Sequence, residues 1–187
     1  LLRWKDETGH PVSPAEFIPV MEENGMIIPV GMWVMRTALE AGRLWVKEDP
    51  LFTVSVNVSA LQILEEDFTA VLKQTVEEKE FPYQNLIIEL TESCTAKNLR
   101  MFEERFEELR ALGIRVAMDD FGTGYSSLEL LKFAPVDVVK IDRIFIKDIL
   151  KSKFDATFIQ FVVAICHSIG IKVCLEGMET AEEYEAL

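Results

Sequence analysis

Histidine, cysteine and positive charge are all scarce in this sequence. Of 187 residues only two are histidine, His10 and His167, and three are cysteine, Cys94, Cys166 and Cys174. The cysteines form no CxxC pair, so a zinc centre built on thiolates and imidazoles is excluded. An odd, unpatterned set reads as three buried thiols in a reducing compartment. Lys plus Arg is 19 against 32 Asp plus Glu, a net charge of −13. That balance excludes a sequence-independent binder of nucleic acid polymers, which needs a basic stripe, and a domain that docks on anionic lipid. There is no low-complexity tract and no secretory signal. The most apolar stretch, Phe158 to Leu175, is broken by Gln160, His167, Ser168, Gly170 and Lys172, so it reads as a helix and then a strand, not a membrane span. No GxSxG occurs, and the string Asp120-Phe121-Gly122 lacks the GxGxxG, HRD and VAIK elements that would make it a kinase motif.

What is present is a hydrophobic fraction of 49%, enough for one domain with a sizeable core. One pattern recurs: a short apolar run ends in a polar or charged residue, and an amphipathic helix follows. The runs are Leu1 to Trp4, Thr53 to Asn57, Leu86 to Glu89, Arg115 to Asp120, Val136 to Asp142 and Lys172 to Gly177. Helices are expected from Pro14 to about Asn24, from Val30 to Lys47, from Ala60 to Glu78, from Lys97 to Leu112, over Ser127 to Phe133, from Phe154 to Ile169 and from Thr180 to Leu187. Strands alternating with helices imply a parallel sheet covered by helices. Polar residues at the carboxyl end of strand after strand favour a (β/α)₈ barrel over an open doubly wound sheet, because that rim is where a barrel carries its chemistry. A complete barrel takes about 250 residues, so this stretch is expected to be incomplete at both ends, a fragment of a single domain.

Taken together, the strand ends are Asn57, Glu89, Asp119, Asp120, Lys140 and Glu176. Four carboxylates on one rim cannot all stay ionised without a counter-charge. Oxygen-only donors select a hard divalent cation, Mg²⁺ or Mn²⁺. Each residue alone has an ordinary reading. Glu89 could cap the next helix, Lys140 could be an interior ion-pair partner of Asp119, and Asp142 and Glu179 could be supporting or surface groups. All six strand ends at once are harder to explain that way. Gly122 and Gly124 suit a sharp backbone turn that offers amides to an anion. The runs Glu77-Glu78, Glu103-Glu104, Glu107-Glu108 and Glu182-Glu183 are solvated helix faces.

The strings Leu1-Leu-Arg-Trp4, Pro14-Ala-Glu-Phe-Ile-Pro19, Val56-Asn-Val-Ser-Ala60, Glu89-Leu-Thr-Glu-Ser93, Asp119-Asp-Phe-Gly-Thr-Gly-Tyr-Ser-Ser127, Val139-Lys-Ile-Asp142 and Glu176-Gly-Met-Glu179 resemble, in order, the EAL domain of bacterial cyclic di-GMP phosphodiesterases. The resemblance implies an α/β fold, a TIM-like (β/α)₈ barrel of the EAL type. It implies a phosphoric diester hydrolase that opens cyclic di-GMP to linear pGpG with Mg²⁺ or Mn²⁺, two ions, in bacterial second-messenger signalling. Asn57, Glu89 and Asp119 match the family's metal ligands, and Asp120 ligates mainly the second ion. Lys140 holds the attacking water or the developing charge. Glu176 is either a metal ligand or a proton acceptor near that water. Glu92 anchors the loop that starts at Asp120, Glu179 supports the site, and Arg3 contacts a substrate phosphate. Two cations could activate a water and stabilise the leaving 3′-oxygen in an in-line displacement. They also explain how so acidic a domain holds an anionic dinucleotide.

The family's name-giving glutamate would lie just before Leu1 and its final strand beyond Leu187, so the stretch taken literally is expected to be inactive. The resemblance further implies a cytoplasmic domain, a homodimer, and fusion to or regulation by GGDEF or sensory domains, including in membrane-attached multidomain proteins. Two other readings are a receptor that binds cyclic di-GMP without cutting it and a scaffold domain that binds no nucleotide.

Overall fold

The structure is a computed structural model that describes residues 2–91, 99–123, 131–132 and 135–186. The chain forms two compact units, Leu1–Leu86 and Ile87–Leu187.

The first unit opens with a small antiparallel hairpin, β1 (Trp4–Lys5) and β2 (Pro11–Val12). The expected strand at Leu1 to Trp4 therefore ends in a hairpin instead of a parallel pairing. Its turn is tied by the Asp6 carboxylate, which accepts from the backbone N–H groups of Thr8 and His10, both at 2.9 Å. Helix α1 (Pro14–Glu23) is capped by Ser13, whose hydroxyl accepts from Ala15 N–H, and carries proline at its first turn. Helix α2 (Ile27–Glu48) buries Met35, Leu39, Gly42 and Val46 along one stripe. It runs past Gly42 because the missing side chain lets strand β3 (Val54–Asn57) approach: a Cβ there would lie 2.4 Å from a Val54 methyl.

The single helix expected over Ala60 to Glu78 is two. α3 (Ala60–Ile63) and α4 (Phe68–Glu78) are separated by a turn over Leu64 to Asp67. Three consecutive acids, Glu65 to Asp67, interrupt the apolar stripe at that point. α3 is fixed by a capping box, with Ser59 and Gln62 bonding each other's backbone. A short 3₁₀ turn, Tyr83–Asn85, closes the unit, and the buried Asn85 amide donates to the carbonyls of Pro50 (2.9 Å) and Phe52 (2.6 Å).

The second unit carries a parallel sheet. Strands β4 (Leu86–Thr91), β5 (Arg115–Phe121), β6 (Val138–Ile141) and β7 (Lys172–Leu175) lie side by side in that order. β4 and β5 are buried on both faces, through Ile88, Glu89 and Leu90 on β4 and Val116, Ala117 and Met118 on β5. Helix α5 (Leu99–Ala111) packs Phe102, Phe106 and Leu109 inward and ends at Gly113, which takes φ +87. Helix α6 (Lys153–Ser168), capped by Ser152, buries Ile159, Val162 and Cys166. Helix α7 (Ala181–Glu185) starts from a capping box of Thr180 and Glu183. The expected helix at Ser127 to Phe133 falls mainly outside the described residues.

Of the cysteines, Cys166 is buried as expected, and burial pushes its thiol pKa up. Cys174 is exposed, against expectation, because alternate residues of β7, Lys172 and Cys174, face solvent. Cys94 lies outside the described residues. Among the described residues, no helix is long and apolar enough to cross a membrane.

Candidate active site

Parallel pairing sets the carboxyl ends of β4 to β7 beside one another, and there the acidic strand ends converge. The centre is Lys140, on β6. Its ammonium lies 2.7 Å from Glu176 Oε1, 3.1 Å from Asp119 Oδ2 and 3.2 Å from Glu89 Oε2. Lys140, Glu89 and Asp119 are largely enclosed, with side chains 14%, 10% and 13% exposed, whereas Glu176 is 39% exposed. Burial alone would make Lys140 easier to deprotonate. The hydrogen bond it donates to Glu176 and the charges of Asp119 and Glu89 outweigh it and hold its pKa above the ordinary lysine value.

Asp120 is brought to the same place by an irregularity in β5. Met118 pairs with Val139 and Phe121 with Ile141, so Asp119 and Asp120 together face the single residue Lys140. Such a bulge adds a residue and re-aims side chains. Asp120 adopts φ +54, a left-handed conformation that aspartate tolerates better than most residues. Its carbonyl accepts from Thr123 N–H (3.3 Å) and the Thr123 hydroxyl (2.8 Å). Burial, the neighbouring Asp119 charge and a hydrogen bond to Asp142 raise its pKa from 3.8 to about 6. Asp142 also caps the following 3₁₀ turn, accepting from Ile144 N–H at 2.7 Å. That contact was not foreseen.

Five of the residues singled out in the sequence are thus gathered: Glu89, Asp119, Asp120, Lys140 and Glu176. Glu179 is exposed. Its backbone N–H donates to Glu183 Oε2 at 2.7 Å, and among the described residues no hydrogen bond or ion pair joins its side chain to the cluster. Glu92 lies outside the described residues. In the first unit, Asn57 ends β3 with an exposed side chain, and the exposed Arg3 guanidinium donates to the Leu2 carbonyl at 2.9 Å.

Among the described residues, no group of three or more His, Cys, Asp or Glu side chains is arranged to hold a metal ion. The Lys140 ammonium takes the centre of the cluster. The donor set nevertheless fits a hard divalent cation. It is all oxygen, and four carboxylates gather about one ammonium, an excess of negative charge that a divalent cation would offset.

The family model described as the EAL domain matches residues 1–187. The chain belongs to the EAL family. Relatives include the cyclic di-GMP phosphodiesterase PdeR of Escherichia coli (strain K12), 35% identical over 183 residues that make up 98% of this chain and 28% of PdeR. The cyclic di-GMP phosphodiesterase PdeA of Borreliella burgdorferi is 30% identical over 97% of this chain and 27% of its own length. The chain therefore spans little more than a quarter of these curated relatives. Among solved structures, the PaMucR phosphodiesterase in complex with c-di-GMP aligns with a TM-score of 0.92 and 34% identity, over all of this chain and 76% of the other. The architecture is the α/β EAL fold with its parallel sheet, as the alternation of strands and helices implied.

Proposed function

We propose that this EAL domain hydrolyses cyclic di-GMP to linear pGpG in a reaction that depends on Mg²⁺ or Mn²⁺. The observation that carries the proposal is the Lys140 cluster: one enclosed ammonium held by Glu89, Asp119 and Glu176, with Asp120 turned towards it by a bulge. Relatives that cover nearly the whole chain are named as phosphodiesterases of this dinucleotide, which supports the same reading.

Glu89, Asp119, Asp120 and Glu176 would hold the cations, two in number, through carboxylate oxygens. When bound, a divalent cation supplies Lewis acidity, lowering the pKa of water and offsetting phosphate charge. The chain's own residues do the rest. Lys140 Nζ, kept protonated by its three partners, donates hydrogen bonds and does not act as a base at neutral pH. It can orient a water or meet charge that develops on a phosphate oxygen. Glu176 is more open than Glu89, Asp119 and Lys140, so it is a carboxylate placed to take a proton from an entering water. Enclosure of Glu89, Asp119 and Lys140 strengthens each charge interaction relative to water.

Two residues of the first unit are likewise assigned on the family resemblance: Asn57 as a neutral oxygen ligand and Arg3 as a phosphate contact. Glu92 and Glu179 are assigned supporting roles on the family resemblance.

The test is turnover. The full-length protein is incubated with cyclic di-GMP and Mn²⁺, and pGpG is followed by chromatography. Product that vanishes with EDTA and in Asp119→Asn supports the proposal. A folded protein that binds the dinucleotide and leaves it intact refutes it in favour of a receptor.

A further inference from the structure

The residues just after Lys140 touch the loops of two of the acids. Asp142 caps a 3₁₀ turn, Arg143–Phe145. On one flank of the turn lies Gly177, the residue after Glu176. Its φ is +81, and a Cβ there would stand 2.7 Å from the Arg143 Cβ. On the other flank lies Gly122, two residues after Asp120. Its φ is +98, and a Cβ would stand 2.6 Å from Phe145 Cε2 and 2.9 Å from both Phe145 Cζ and Phe158 Cζ. The backbone after Asp120 therefore rests directly on an aromatic pair. The Phe145 and Phe158 rings stack with centroids 4.4 Å apart, and Phe154 continues the row at 6.4 Å from Phe158.

That platform answers a question the bulge raises. A left-handed aspartate persists only where its surroundings over-determine it. On the strand side, Asp120 is followed by the fully buried Phe121, locked in register with Ile141. Past Phe121, the backbone at Gly122 comes so close to the rings beneath it that no side chain would fit between them.

We propose that the 3₁₀ turn Arg143–Phe145 is a positioning element for the reaction, with Phe145, backed by Phe158, as the residue that sets where the Asp119–Asp120 bulge stands relative to Lys140. Phe145 touches no reacting atom; it acts through Gly122. The inference rests on the phosphodiesterase reading for its meaning, but it concerns the geometry of the carboxylates and can be measured without turnover.

The full-length protein is compared with Phe145→Ala and Phe145→Leu. Mn²⁺ affinity is read from the electron paramagnetic resonance signal of the free ion, kcat and KM from pGpG formation, and folding from the thermal midpoint. Supporting groups around a cation site are typically worth about 10- to 100-fold in affinity or activity. Phe145→Ala is accordingly expected to weaken Mn²⁺ binding at least tenfold and to lower kcat in step, with KM for the dinucleotide within twofold of wild type. Phe145→Leu, which keeps most of the bulk, is expected to fall between. A role confined to stability would lower the thermal midpoint and leave the affinity and kcat of the folded protein unchanged. A folded Phe145→Ala protein with both values within twofold of wild type overturns the inference. If that variant does not fold, Phe145→Leu and Gly122→Ala carry the same measurement with the same twofold limit. A wild type that binds Mn²⁺ through Asp119 but makes no pGpG sinks the phosphodiesterase reading, and the affinities then decide the positioning role alone. A wild type that binds no Mn²⁺ overturns both.

Discussion

Replacing Lys140 by methionine keeps the length of the side chain and removes the one ammonium that, among the described residues, stands with these carboxylates. Glu89 and Asp119 lose a partner at 3.2 and 3.1 Å in a setting where all three side chains are less than 15% exposed. Breaking an enclosed ion pair by deleting one partner costs about 3–5 kcal/mol, because the remaining charge stays desolvated. The 2.7 Å contact with Glu176 adds little, since that carboxylate is 39% exposed and water screens it. For a domain of this size each kcal/mol moves the thermal midpoint by about 2–4 °C, so Lys140→Met should lower it by roughly 6 to 20 °C in EDTA. The same change makes the cluster more negative, so Mn²⁺ should stabilise the variant more than it stabilises wild type. Turnover should still fall at least about 100-fold, the scale of a lost donor to developing charge. Differential scanning calorimetry with and without Mn²⁺ reads both shifts. A midpoint within 2 °C of wild type in EDTA would show that the cluster is not held by the ammonium, and the reasoning from these distances would be wrong.

Other outcomes follow from the same geometry. Asp120, raised from 3.8 to about 6, must give up a proton when a cation takes its carboxylate; titration calorimetry in buffers of different ionisation enthalpy should show proton release near pH 6 and almost none near pH 8. In the cation-free protein the same upward shift favours the protonated folded form, so its contribution to stability is present below about pH 4 and lost as pH rises through about 6. A wild-type pH dependence across that window identical to that of Asp120→Asn would contradict the shift. Asn85→Ala leaves the Pro50 and Phe52 carbonyls without their donor and should cost about 1–3 kcal/mol in denaturant titration. Gly42→Val drives a side chain into Val54 and Phe81 and should cost about 1–3 kcal/mol by the same measurement.

The parallel order and the converging acids were legible because each strand is a short apolar run that ends in a chemically distinct residue, Glu89, Asp119, Lys140 or Glu176. What stayed hidden depends on pairing across the sheet. Asp119 and Asp120 were expected on one rim, but how two adjacent residues reach it was hidden: the register of Phe121 against Ile141 shows that both face Lys140. The break at Leu64 to Asp67 was obscured because helical spacing resumes at Phe68 as if uninterrupted. Cys174 read as buried because its strand is apolar, but exposure follows alternation and the neighbours a strand has, not composition. The Asp120–Asp142 contact arises where two strand ends meet, and no local pattern encodes it. The aromatic platform under Gly122 likewise joins residues far apart in the chain.

The central claim, that these carboxylates form a hydrolytic cation site, is tested most directly by anomalous diffraction at the manganese edge from crystals of the full-length protein grown with Mn²⁺. The account predicts anomalous peaks at ligand distance, roughly 2.0–2.6 Å, from carboxylate oxygens of Glu89, Asp119 and Asp120. A crystal saturated with Mn²⁺ that shows no peak at those residues, from a preparation that forms pGpG, would contradict it.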